Sequence, residues 1–259
     1  MKALSVGLVA AALFAGPVRA EELLLRAGEP LARADLLKPG TQRYLRYLVK
    51  NGHRNPLDMW VRTVSFEERD GRRIVRIVQQ WDGVGEEPTV RIEESVAEAG
   101  TMLPISQRRV YTSAGKTTTW AYLFDGTAVA ADPAVADNRA AGFSKATPAP
   151  VYNFVPDIEW FRQLPMQEGR VFVAELYDPG PEEPGRYRLT VAGSARIAGP
   201  DGRPVDCWLV TTDYNHPERG LTRYWFAKAN QYLVRQEVDT GERGYLVKIL
   251  LPPEAADAV

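Results

Sequence analysis

The sequence predicts a mainly β protein, a large curved antiparallel sheet or barrel with short helices covering part of one face. Three observations carry this. Runs rich in β-branched and aromatic residues recur along most of the chain. Turn signals separate them every 8–15 residues. Several runs, such as Met59 to Phe66, are apolar on both sides, so something must cover the second face. With 45% hydrophobic and 25% charged residues, the chain has the composition of a globular protein and not of a disordered or fibrous one.

The first twenty residues read as an address. Lys2 gives a positive start, Ala3 to Ala15 are apolar or small, and Gly16-Pro17 would end a helix. Val18-Arg19-Ala20 offers small residues at a signal-peptidase site, so residues 1–20 are expected to be a signal peptide. The apolar run falls short of the roughly 20 residues of a membrane span. No Cys follows it for lipid attachment, and no later stretch is apolar enough to cross a bilayer. A soluble, periplasmic protein is expected, with residues 21–259 forming one β-rich domain whose core spans about residues 41–251. The single Cys suits an oxidising compartment.

Strands are expected in order. Arg43 to Lys50 is followed by Asn51-Gly52, and Leu57 to Glu68 by Asp70-Gly71, both signals for tight hairpin turns. Arg72 to Trp81, Thr89 to Val96, Leu103 to Tyr111, Thr117 to Asp125 and Thr127 to Ala131 follow. After a break come Arg170 to Tyr177, Gly185 to Ile197, Val205 to Asp213, Leu221 to Phe226, Tyr232 to Val238 and Tyr245 to Leu251. In Gly185 to Ile197 the series Tyr187, Leu189, Val191, Gly193, Ala195, Ile197 alternates with a mostly polar series and predicts one packed face. The break supplies the cover. Asp132-Pro133 is a helix-start signal for Pro133 to Ala141. Pro156 opens a second helix, with Asp157 and Glu159 in its first turn and Ile158, Phe161 and Leu164 on one side. Leu31 to Leu37 is a third candidate.

The segment Asp157-Ile-Glu-Trp-Phe-Arg-Gln-Leu-Pro-Met-Gln-Glu-Gly169 resembles the Asp…aromatic-Arg-x-Leu-Pro…Gly signature of an exported bacterial family called domain of unknown function 3108. Tyr187 to Ile197, Gly202 to Val210 and the Trp225…Gln236 hairpin resemble that family's closing strands, and residues 43–81 its opening. The resemblance implies a half-open barrel wrapped around one or two short helices, similar to periplasmic lipoprotein carriers and outer-membrane lipoprotein receptors. In those the concave face holds acyl chains.

Chemistry-bearing motifs are sparse. The chain has no Gly-x-Ser-x-Gly elbow, phosphate loop or dinucleotide fingerprint. Its two His and one Cys do not form a metal-ligand pattern, and no cofactor is expected. A net charge of −1 offers no broad basic surface for nucleic acid. His53 and His216 lie in turn compositions and Cys207 in a strand, all read as structural. Adjacent acidic pairs point to opposite faces of strands and do not suit paired acid–base work. Glu94 falls on the face of Val90, Ile92 and Val96 and should need an Arg partner or a polar cavity wall. The aromatics remain: Trp120, Tyr122, Phe124, Trp160, Phe161 and Trp225 are the expected lining of an apolar hollow. The leading expectation is a non-enzymatic binding protein for a lipid, lipoprotein or other hydrophobic ligand. The alternatives are an envelope assembly or structural factor that binds protein through sheet edges, and a hydrolase built around His216, Glu218 and Asp213.

Overall fold

Backbone turn chemistry sets the frame. In the computed structural model, which describes residues 22–84 and 89–253, Asn51 and Gly52 have φ of 51° and 78°, and Asp70 and Gly71 have φ of 52° and 72°. Two consecutive left-handed residues give the turn twist that matches paired strands. They connect β2 (Gly40–Lys50), β3 (His53–Arg69) and β4 (Arg72–Gly83). The expected signal peptide, residues 1–20, lies outside the described residues.

Before β2 lies β1 (Glu22–Leu25), and after β4 come β5 (Val90–Glu98), β6 (Pro104–Ser113), β7 (Lys116–Phe124), β8 (Ala128–Ala131), β9 (Ser144–Ala146) and β10 (Tyr152–Asn153). A short helix, α1 (Asp157–Phe161), then leads into β11 (Val171–Tyr177), β12 (Gly185–Ala198), β13 (Pro204–Thr212), β14 (Thr222–Ala227), β15 (Leu233–Asp239) and β16 (Tyr245–Leu250). They form one sheet in the order β1-β11-β12-β13-β14-β15-β16-β2-β3-β4-β5-β6-β7-β8-β9, with β10 also on β11. Pairing is antiparallel except for β1 and β10, which run parallel to β11. The pairing of β16 with β2 joins the two halves of the chain.

The sheet curves without closing its ladder. Side chains span the gap instead: Arg109 Nη2 of β6 lies 3.0 Å from Asp178 beyond β11, and Lys145 of β9 pairs with Glu183. Tyr177 of β11 joins Tyr122 and Val129 of β7 and β8 in one buried cluster.

The inner face packs on α1. Ile158, Glu159, Trp160 and Phe161 are all buried, and of the five helix residues Asp157 alone keeps partial exposure. Trp160 stacks on Tyr152 at 5.3 Å, and Phe161 meets Tyr224 edge-on at 5.5 Å. A five-residue helix is far shorter than the ~12–15 residues that begin to be stable alone, so tertiary packing holds it.

Four expectations change. Pro133 to Ala141 is a chain of turns, because the Asn138 side chain clips it to β7. Asn138 Oδ1 accepts from Ala121 N at 3.0 Å, and its amide donates to Ala121 O at 2.9 Å and Asp132 O at 3.0 Å. Leu31 to Leu37 condenses to a 3-10 turn, Ala34–Leu36. The strands β1, β9 and β10 were not expected. In β12 a bulge between Val191 and Gly193 splits the alternating series. Leu189 and Val191 join the inner core, whereas Ile197 packs on the opposite face with Cys207. Glu94 does find an Arg partner, Arg76, but the buried carboxylate of β5 is its neighbour Glu93.

Two turn glycines separate conformation from space. A Cβ on Gly71 would meet nothing within 4 Å, whereas one on Gly244 (φ 96°) would lie 2.0 Å from the Val49 carbonyl oxygen. Gly71→Ala should cost about 1 kcal/mol of unfolding free energy from the left-handed backbone alone. Gly244→Ala should cost about 3 kcal/mol or more, since the β16–β2 junction must also shift. Urea midpoints of the two variants check the order.

Candidate functional site

The six aromatics expected to share a lining fall in three places. Trp160 and Phe161 are 0% exposed in the main inner core. Trp120, Tyr122 and Phe124 belong to the second cluster, with Val129, Val151 and Phe143. Trp225 packs on the outer face with Cys207, Ala227 and Val234. They do not line one hollow, because α1 and its aromatic neighbours fill the inner face. His53 is exposed at the start of β3. His216 is exposed, with Nδ1 3.1 Å from Glu218 Oε1. The Cys207 thiol is free, and burial pushes it up to about 11. Among the described residues, no three His, Cys, Asp or Glu side chains converge as metal ligands.

A polar belt crosses the inner face. Arg62 of β3 and Glu159 of α1 are each 1% exposed and form a two-pronged ion pair, with Arg62 Nε donating to Glu159 Oε1 at 2.8 Å. Arg62 Nη1 also donates to Gln79 Oε1 at 2.7 Å, and Gln79 Nε2 donates to the Val155 carbonyl at 2.8 Å. Burial opposes the Arg62 charge, but Glu159, with help from Asp157 and Tyr44, more than offsets it and the guanidinium holds its proton more tightly than usual. Further along, buried Glu93 accepts from Arg109 Nε at 2.6 Å and Arg91 Nε at 2.6 Å. Cross-strand register places these groups side by side, Arg62 against Gln79 and Glu93 against both Gln79 and Arg109.

At one end of the belt Arg46 holds Asp58 through two nitrogens, Nε at 2.6 Å. Half-buried Lys248 of β16 lays its ammonium 3.7 Å from the Trp60 ring centroid. Trp60 stacks on Trp81 at 5.5 Å. Asp157 accepts from Ile158 N at 2.7 Å and lies 4.0 Å from Arg62 Nη1 and 3.5 Å from the Tyr214 hydroxyl. Burial pushes the Asp157 carboxyl up and the Lys248 ammonium well down. Burial also raises Tyr214 and Tyr224, whose hydroxyls are hydrogen-bonded to each other.

The outer face carries a solvent-open groove of about 620 Å³. Val205, Ala227, Val234, Leu251, Pro252 and Pro253 supply much of its wall. It adjoins the cluster that contains Cys207 and Trp225.

Sequence reasoning reached the aromatics and missed the charges that organise them. Arg62 stands between Trp60 and Val64 on the inward register of β3, and Lys248 precedes Leu250 on that of β16. A charge on a packed face was the available signal, the same signal that drew attention to Glu94.

The fold and this interior define a class: an incompletely closed antiparallel β half-barrel plugged by a short helix. The chain matches the family described as "Protein of unknown function (DUF3108)" over residues 48–248, and belongs to it. No curated protein matches. Among solved structures it is similar to the β-barrel-like protein of domain of unknown function DUF1849 from Brucella abortus. The TM-score is 0.51 at 12% identity, over 82% of this chain and 95% of that one. That similarity concerns the fold. No described helix is long and apolar enough to cross a membrane.

Removing one partner of a buried ion pair leaves an uncompensated charge, at about 3–5 kcal/mol. Arg62→Met alone should therefore destabilise by that amount. Adding Glu159→Leu should recover most of it, as read by urea unfolding. A pH effect follows from Lys248. Its folded value lies below the ordinary 10.5, so on raising pH the native state gives up this proton before the unfolded state does. Stability should climb with pH from that folded value to about pH 10, above which the raised tyrosines act oppositely. Lys248→Met should flatten the climb in urea midpoints taken from pH 7 to 10.

Proposed function

We propose that this is an exported, non-enzymatic binding protein of the bacterial periplasm, and that its outer groove takes the hydrocarbon chain of a lipid or lipoprotein. The observation that carries this reading is the groove itself, about 620 Å³ and walled mainly by apolar side chains. Its size is within the roughly 300–1,000 Å³ of small-molecule sites. Each methylene removed from water there would contribute about 0.8 kcal/mol. The inner face is the less suitable place, since Trp160, Phe161 and the Arg62–Glu159 pair already occupy it. Export is supported by the pattern of Lys2, the apolar run to Ala15 and Val18-Arg19-Ala20. Binding is favoured over catalysis by the protonated, buried Cys207 thiol and the exposed settings of both histidines. Protein binding by strand addition has less support, because the two outermost strands have only four and three residues.

Ala229 is exposed and lines the groove, so Ala229→Trp should fill it without entering the core. In native mass spectrometry with palmitate or a C12 detergent, the wild-type chain should carry one adduct. Ala229→Trp should reduce its occupancy several-fold. An absent adduct, or equal occupancy in both proteins, would refute the reading.

A further inference from the structure

The outer groove carries charge of one sign. Among the described residues of its wall, Arg43 alone has a charged side chain, and no carboxylate lines it. Arg43 is half-buried on β2, with Nη2 3.5 Å from the Pro252 carbonyl oxygen of the segment that follows β16. The side formed by β13, β14 and β15 supplies the uncharged Val205, Ala227 and Val234. The acidic side chains nearest that side, Asp201 and Asp206, face Arg203 and Arg196.

A second cation stands behind the wall. Arg162 is 2% exposed and lays its guanidinium 3.9 Å from the centroid of the Tyr232 ring, and Tyr232 lines the groove. Among the described residues no carboxylate forms an ion pair with Arg162. Its Nη2 donates to the Leu36 carbonyl at 3.2 Å, and its buried Nε has no hydrogen-bond partner. The carboxylate that acts most on it, Glu159, is already held by Arg62. One aromatic ring therefore separates the groove from a buried positive charge that no ion pair neutralises.

We propose that the groove selects single-chain amphiphiles that end in an oxyanion, with the head at Arg43 and the hydrocarbon chain along Val205, Ala227 and Val234. This inference rests on the groove reading above and adds the chemistry of the head. A cleft with apolar walls and charge of one sign concentrates its field, which favours a ligand of the opposite sign. A guanidinium presents parallel N–H groups that match two oxygens of a carboxylate or a phosphate. A neutral head would give up water there without that return, and a cationic head would be repelled. The oxyanion competes with contacts that Arg43 makes within the chain, so its advantage should be modest. A free fatty acid and a lysophospholipid with a terminal phosphate share this chemistry. The acylated end of a lipoprotein, with neutral esters and an amide, lacks it.

The test compares heads on one chain length, by isothermal titration of the wild-type protein at low salt and about pH 8, below the micellar range. The ligands are laurate, dodecyl phosphate, lauramide and dodecylamine; lauramide keeps the shape of laurate without its charge. At least one of the two anions should bind about tenfold more tightly than lauramide, and dodecylamine most weakly. The tighter anion tells a fatty-acid head from a phosphate head. Arg43→Gln should lower the ratio of anion to lauramide affinity about tenfold, whereas Arg43→Lys should keep most of it. Equal affinity for laurate, dodecyl phosphate and lauramide, a preference for dodecylamine, or an anion preference that survives Arg43→Gln overturns this inference and leaves the groove reading standing. Binding of none of the four overturns both.

Discussion

The ion pair between Arg62 and Glu159 is the contact on which the interior depends. It joins the middle of β3 to the middle of α1, with both side chains 1% exposed. In so shielded a place an unpaired charge would be costly, so the helix must sit where Glu159 meets the guanidinium. Gln79 narrows the choice further, since its oxygen takes one Arg62 N–H and its amide holds the Val155 carbonyl just before α1. Hydrophobic packing of Ile158, Trp160 and Phe161 favours burial in general but does not choose a register. The charged pair supplies direction to packing that is otherwise tolerant.

This arrangement explains how a sheet with an incomplete ladder has a filled interior. The plug fills the volume that closure would otherwise have to remove, and ion pairs across the gap tie its margins. Arg109 illustrates the economy, since it reaches Glu93 within the sheet and Asp178 beyond β11. The belt therefore runs from the seam to the plug.

The hairpin frame was legible because Asn51-Gly52 and Asp70-Gly71 encode their own backbone geometry. The helix at Pro156 was legible for the same local reason, with Asp157 and Glu159 in its first turn. Pro133 to Ala141 carried an equally plausible start signal, yet the bonds of Asn138 to β7 overrode it. Those bonds join residues far apart in sequence and leave no periodic trace. The candidate aromatics were visible as residues, but their division among three clusters depends on sheet curvature and on where bulges fall. Arg62 and Lys248 were overlooked because each is one charge within an apolar run, and only the position of α1 gives Arg62 its partner.

Two bulges shape the outer apolar cluster that the groove adjoins. Regular alternation would put Ile197 on the same side as Val191, and Val234 would have an ordinary place in the β14–β15 ladder. The bulge after Val191 turns Ile197 outward. The second irregularity pairs Trp225 with Arg235 and Phe226 with Leu233, leaving Val234 unpaired between them. Leu233 enters the inner core, and Val234 joins Cys207 and Ala227 outside. An inserted residue of this kind re-aims side chains and increases local twist. Two such insertions, on strands separated by β13 and β14, bring apolar groups to one patch of a face that would otherwise meet water. The departure at Val234 thus puts that side chain in the groove wall, and the one after Val191 adds Ile197 to the apolar cluster beside it.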